Sequence, residues 1–68
     1  MNKQQENYIN GLVTAVAPTL VKESTDGDIF KRARDVMSEV IESGVVEFDS
    51  GIQKRIYDAL ISYRDSLK

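Results

Sequence analysis

Residues 28–43 read DIFKRARDVMSEVIES, and their pattern decides the fold. Ile29, Ala33, Val36 and Val40, accompanied by Phe30, Met37 and Ile41, recur at three- and four-residue steps. That spacing gathers seven apolar side chains on one broad stripe of an α-helix. In the preceding turn, Glu23–Gly27, Thr25 or Asp26 can accept from the first free amides of the helix, and Asp28 suits its positive end. Gly44 supplies a left-handed stop after Ser43.

The stripe needs a mate, and the C-terminal third provides one. Ser50 and Gln53 have capping-box spacing, which starts a helix at Gly51 that runs to about Leu67. Ile52, Ile56, Ala59, Leu60, Tyr63 and Leu67 share one face of it. The short apolar connector Val45–Phe48 is expected to pack down and to make the two helices antiparallel neighbours. Side by side, Ile41 meets Ile52, Met37 meets Ile56, Ala33 meets Leu60 and Phe30 meets Tyr63. The same register sets Glu39 and Glu42 near Lys54 and Arg55, and the cations Lys31, Arg32 and Arg34 of the central helix near Asp65. Such exposed pairs contribute only about 0.2–1 kcal/mol each, so they select register more than they stabilise. A β-hairpin over residues 45–57 is the competing reading, and the long helical period from Ile52 onwards weighs against it.

Towards the N-terminus, after a frayed end or first turn at residues 1–6, apolar residues come in adjacent pairs four apart. They are Tyr8 and Ile9, Leu12 and Val13, Val16 and Ala17, Leu20 and Val21. A step of four overshoots 3.6, so this stripe winds around its helix and becomes wider than one neighbour covers. Pro18 lacks a donor and crowds the carbonyl of Thr14, so a helix over Gln4–Ala17 should be followed by a kink or a restart carrying Leu20 and Val21. The expected fold is all-α: one three-helix domain over residues 1–68, helices 2 and 3 an antiparallel hairpin and helix 1 kinked near Pro18.

With 68 residues the chain buries only about 60% of its unfolded surface, so helix packing and self-association must supply its stability. The absence of Cys and His removes disulfides, the usual zinc sites and thiolate or imidazole chemistry. Nine Lys and Arg against eleven Asp and Glu, a formal charge of −2, give no long-range attraction to nucleic acid or an anionic membrane. The opening MNKQQENYIN lacks the apolar segment of a secretory signal, which makes a cytoplasmic location the expectation.

Two surfaces are candidates for contact with a partner. The first is the wide stripe of helix 1, Tyr8, Leu12, Val13, Val16, Leu20 and Val21. Core packing accounts for half of it, and an exposed remainder would mark a partner or homodimer surface. Tyr57 and Tyr63 would add to such an interface. The second is a cation set, Lys31, Arg32 and Arg34 with Lys54 and Arg55, for nucleic acid or a small anionic ligand such as a nucleotide. Local ion pairing, Asp28 with Arg32 and Lys31 with Asp35, is its bland explanation. A helix-turn-helix reader presenting Gln53, Lys54, Tyr57 and Arg64 is disfavoured by the long connector and the acidic balance. Asp26 and Asp28 around Gly27 resemble the start of a calcium loop, but Arg32–Arg34 and Met37 stand where later ligands belong. No cofactor motif or catalytic constellation organises the serines and carboxylates. The reading favoured by the sequence is a non-catalytic protein–protein interaction module, a small regulator, inhibitor or assembly factor, with nucleic-acid binding and anion binding as alternatives.

Overall fold

The computed structural model describes residues 2–67 and consists of three α-helices: α1, Lys3–Val16; α2, Asp26–Glu42; and α3, Ser50–Asp65. No strand occurs among the described residues, and 51–57 lie inside α3, so the hairpin reading of 45–57 is excluded. α2 and α3 are antiparallel neighbours in close contact, with α1 packed on both.

Local chemistry sets each boundary. Asn2 and Gln5 form a capping box at the start of α1, so the N-terminal segment is helical from Lys3. Thr25 caps α2, its hydroxyl accepting from the Asp28 amide at 3.1 Å while the Asp28 carboxylate accepts from the Thr25 amide at 3.4 Å. This moves the start of α2 two residues ahead of the expected Asp28. α3 is capped by Asp49 rather than Ser50: its carboxylate accepts from the amides of Gly51 at 2.7 Å and Ile52 at 3.3 Å. Ser50 is consequently the first helical residue. Gly44, at φ 76°, is the left-handed stop of α2.

At Pro18 the α-helical bonding ends. A single 3-10 turn, Ala17–Thr19, follows α1, and Leu20 is extended. The missing amide of Pro18 costs nothing at the start of a new turn. Arg32 donates from Nε to the Thr19 hydroxyl at 3.0 Å, and that hydroxyl donates to the Val16 carbonyl at 2.7 Å. The end of α1 is thereby fastened to α2. Its first turn is held by Gln5, which donates to the Val45 carbonyl at 3.0 Å, and by the Glu6–Arg55 pair at 3.3 Å.

The buried core comprises Ile9, Ala17, Leu20, Ile29, Ala33, Val36, Met37, Val40, Ile56 and Leu60. All three helices contribute. Where the expected register sets Phe30 near Tyr63, the ring of Phe30 pairs with that of Tyr57. The expected ion pairs of the hairpin are also replaced. Lys54 pairs with Asp58 of its own helix at 2.9 Å, Arg55 with Glu6 of α1, and Arg64 with Asp26 at 2.6 Å. For Arg55 the reason is that α1 flanks the hairpin and brings Glu6 close, whereas Lys54 finds its acid one turn on in α3 and Arg64 finds its acid at the start of α2.

Candidate functional site: an uncovered aromatic face

The sequence makes the wide stripe of α1 the leading partner surface. Ile9 and Leu20 are buried, and Tyr8, Leu12, Val13 and Val16 are partly buried and packed against the core. Only Val21, 55% exposed, stands out in solvent. A stripe too wide for one neighbour is covered by two, since α1 touches both α2 and α3. Its width therefore matches a seat against two helices.

The spare apolar surface is elsewhere. Phe30 is 49% exposed, Ile41 41% and Phe48 61%. The connector packs down only in part: Val45 and Val46 are half-buried, but Phe48 turns outward. Phe30 from α2, Phe48 from the connector and Tyr57 from α3 wall an open groove of about 540 Å³, with Gln53, Lys54 and Asp58 along its α3 side. A smaller depression of about 160 Å³ adjoins it, lined by Arg34, Met37 and Ile41 and sharing Phe48 and Gln53. No residue of α1 lines either one. α1 thus covers one side of the α2–α3 hairpin, and the aromatic side is left open.

The cation set does not converge. Lys31 and Arg32 border a depression with Val16, Thr19 and Asp35 at the end of α1. Arg34 borders the smaller depression beside Phe48. Lys54 is on the α3 side of the aromatic groove, paired with Asp58, while Arg55 faces α1 through Glu6. Neither Asp28–Arg32 nor Lys31–Asp35 is among the ion pairs of the described residues. Arg32 donates instead to the Asp28 carbonyl at 3.4 Å.

Arg64, a residue the helix-turn-helix hypothesis assigns to nucleic acid, is committed to the fold. With 17% of its side chain exposed, it bonds the Ser24 carbonyl at 3.0 Å, Asp26 at 2.6 Å and Asp65 at 3.1 Å. The bond to Asp26 is the main influence holding its pKa above the ordinary arginine value, with Asp65 adding to it against the opposing effect of burial. No group of three or more carboxylates suited to a metal ion occurs among the described residues.

Sequence reasoning missed Phe30, Ile41 and Phe48 as surface residues. A signal existed for two of them. Taking 100° per residue from Ile29, Phe30 and Ile41 fall at about 100° and 120°, whereas Ala33, Val36 and Val40 lie within about 40°. They mark the edge of the stripe, where cover depends on what packs next to it. For Phe48 the only clue is an aromatic residue beside the polar Asp49–Gly51 turn.

No protein-family model, curated protein or solved structure matches the chain at a significant level.

Proposed function

We propose that the chain is a non-catalytic protein–protein interaction module, a small regulator, inhibitor or assembly factor, and that it binds through the open side of the α2–α3 hairpin. One observation carries this reading: Phe30, Phe48 and Tyr57, drawn from three successive segments, converge on one open groove. Aromatic residues in contiguous exposed patches are characteristic of protein-binding surfaces. The nucleic-acid and anionic-ligand alternatives draw less support, because Lys31, Arg32, Arg34, Lys54 and Arg55 are dispersed over separate depressions or paired with acids.

The test is capture from an extract of the source cells with three baits: wild type, Phe48→Asp and Val21→Asp. Both substituted positions are more than half exposed, so folding is preserved. A protein retained by wild type and Val21→Asp but lost with Phe48→Asp is the expected result. Loss with Val21→Asp and retention with Phe48→Asp would return the interface to the α1 side.

A further inference from the structure

We infer that the occupant of the aromatic groove is a second copy of this chain, docked about a two-fold axis that passes α3 level with Ile56. This rests on the preceding reading that the open hairpin face binds protein, and it names the partner.

Charge is the first support. The two charged residues of the groove wall are Lys54 and Asp58, one turn apart on α3 and 2.9 Å from each other. Ile56 is midway between them in sequence. A two-fold axis at that level runs α3 antiparallel to its copy and sets Lys54 against Asp58 of the other protomer, twice. A like-signed wall would repel its own image, whereas this one is self-complementary, as an isologous contact requires. Both side chains are largely exposed, 76% and 57%, so they are free to exchange an intrachain partner for an interchain one.

Area is the second support. A fully buried aromatic residue covers about 150–250 Å². With Phe30 about half exposed and Phe48 more than half, the patch they form with Ile41 and Tyr57 comes to roughly 300–400 Å². Each partner of a standard interface buries about 800 Å², of which roughly 56–65% is apolar. The aromatic centre together with a rim of Arg34, Gln53, Lys54 and Asp58 therefore reaches the lower end of that class. Obligate homodimers bury about 2,000 Å² or more in total, so a contact of this size belongs with reversible dimers. In the dimer the two hairpins stack face to face as a four-helix arrangement, with each α1 on the outside.

The experiment is sedimentation equilibrium of the full chain over roughly 10 μM to 1 mM at low salt, a range that brackets such a dimer. Wild type should rise from 7.7 kDa towards twice that mass. Phe48→Asp should weaken dimerisation at least tenfold. Lys54→Glu and Asp58→Lys should each weaken it by about tenfold, since every interchain pair becomes a repulsion. An equimolar mixture of those two variants should recover association. In the mixed dimer the new carboxylate of Lys54→Glu faces the new ammonium of Asp58→Lys, and the unaltered Asp58 of the one faces the unaltered Lys54 of the other. A constant monomer mass overturns the inference, and so does a mixture that associates no better than its components. Monomers combined with Phe48-dependent capture of a foreign protein, such as one offering an acidic amphipathic helix, overturn the homodimer and leave the interaction-module reading standing.

Discussion

The ring of Phe30 meets that of Tyr57 edge to face, with centroids 6.1 Å apart and planes inclined at 68°. This joins α2 to α3 at the border between core and solvent. It leaves Phe30 half exposed while still fixing its direction. Edge-to-face pairs contribute about 0.5–1.5 kcal/mol beyond the area they bury. Phe30 is consequently part of the hairpin and part of the groove, whereas Phe48 belongs to the groove alone.

That difference separates binding from stability. Phe48→Ala should change unfolding free energy by no more than about 0.5 kcal/mol, as exposed substitutions do. Leu60→Ala, at a fully buried position, should cost about 2–5 kcal/mol. A domain of this length has only roughly 3–10 kcal/mol in total. Urea titrations followed by circular dichroism compare the two, and a large loss with Phe48→Ala would mean that the connector is structural.

The same glycine substitution should act with opposite sign at two positions. Gly11 lies exposed within α1, and a methyl group added there would meet open space, so Gly11→Ala should stabilise by about 0.5–1 kcal/mol. Gly44 also has open space but sits at φ 76°, and Gly44→Ala should cost about 1–2 kcal/mol of backbone strain. Melting temperature registers about 4–8 °C per kcal/mol in a domain of this size.

Two neighbouring residues compete for the start of α3, and mutation distinguishes them. Asp49→Ala removes both cap bonds and should cost about 1 kcal/mol. Ser50→Ala puts a stronger helix former at a first-turn position and should be neutral or slightly stabilising. Equal losses at the two positions would contradict the Asp49 cap.

Arg64 should matter more than any other cation. Arg64→Ala should lower the melting temperature further than Arg55→Ala, because Arg55 is 52% exposed and holds one acid, while Arg64 is 17% exposed and binds three groups. Arg64→Lys should recover only part of the loss, since a single ammonium does not reproduce the planar fork. The pKa of Arg64 is raised on folding, so its contribution is fully present below the ordinary arginine value and is lost only as pH rises through the raised one. The difference between wild type and Arg64→Lys should therefore not grow between neutral and mildly alkaline pH, which thermal melts across that range would check.

The hairpin was legible in the sequence because its information is periodic. Ile29, Ala33, Val36 and Val40 lie within a narrow arc, and Ile56 and Leu60 answer them from α3. The helix ends were legible wherever cap chemistry is local, as at Thr25 and Gly44. Asp49 was obscured by Ser50 and Gln53, whose spacing imitates a capping box one residue later. The open aromatic face was not legible, for a tertiary reason. Periodicity shows how wide an apolar stripe is, but not how many neighbours share it. α1 has a wide stripe and two neighbours, and α2 has a stripe whose Phe30–Ile41 edge has none on its far side.

The polar ties of α1 are at its extremities, Gln5 and Glu6 at one end and Thr19 with Arg32 at the other, while the middle around Gly11, Thr14 and Ala15 faces solvent. Between those ties the helix is seated by apolar contacts alone, through Ile9, Leu12 and Val13. Its amides should open together, as one cooperative unit, ahead of those in α2 and α3, whose shared side chains form most of the core. The least protected part of the molecule is then the helix opposite the aromatic groove. Loosening it would leave the groove-bearing hairpin as the last element to unfold.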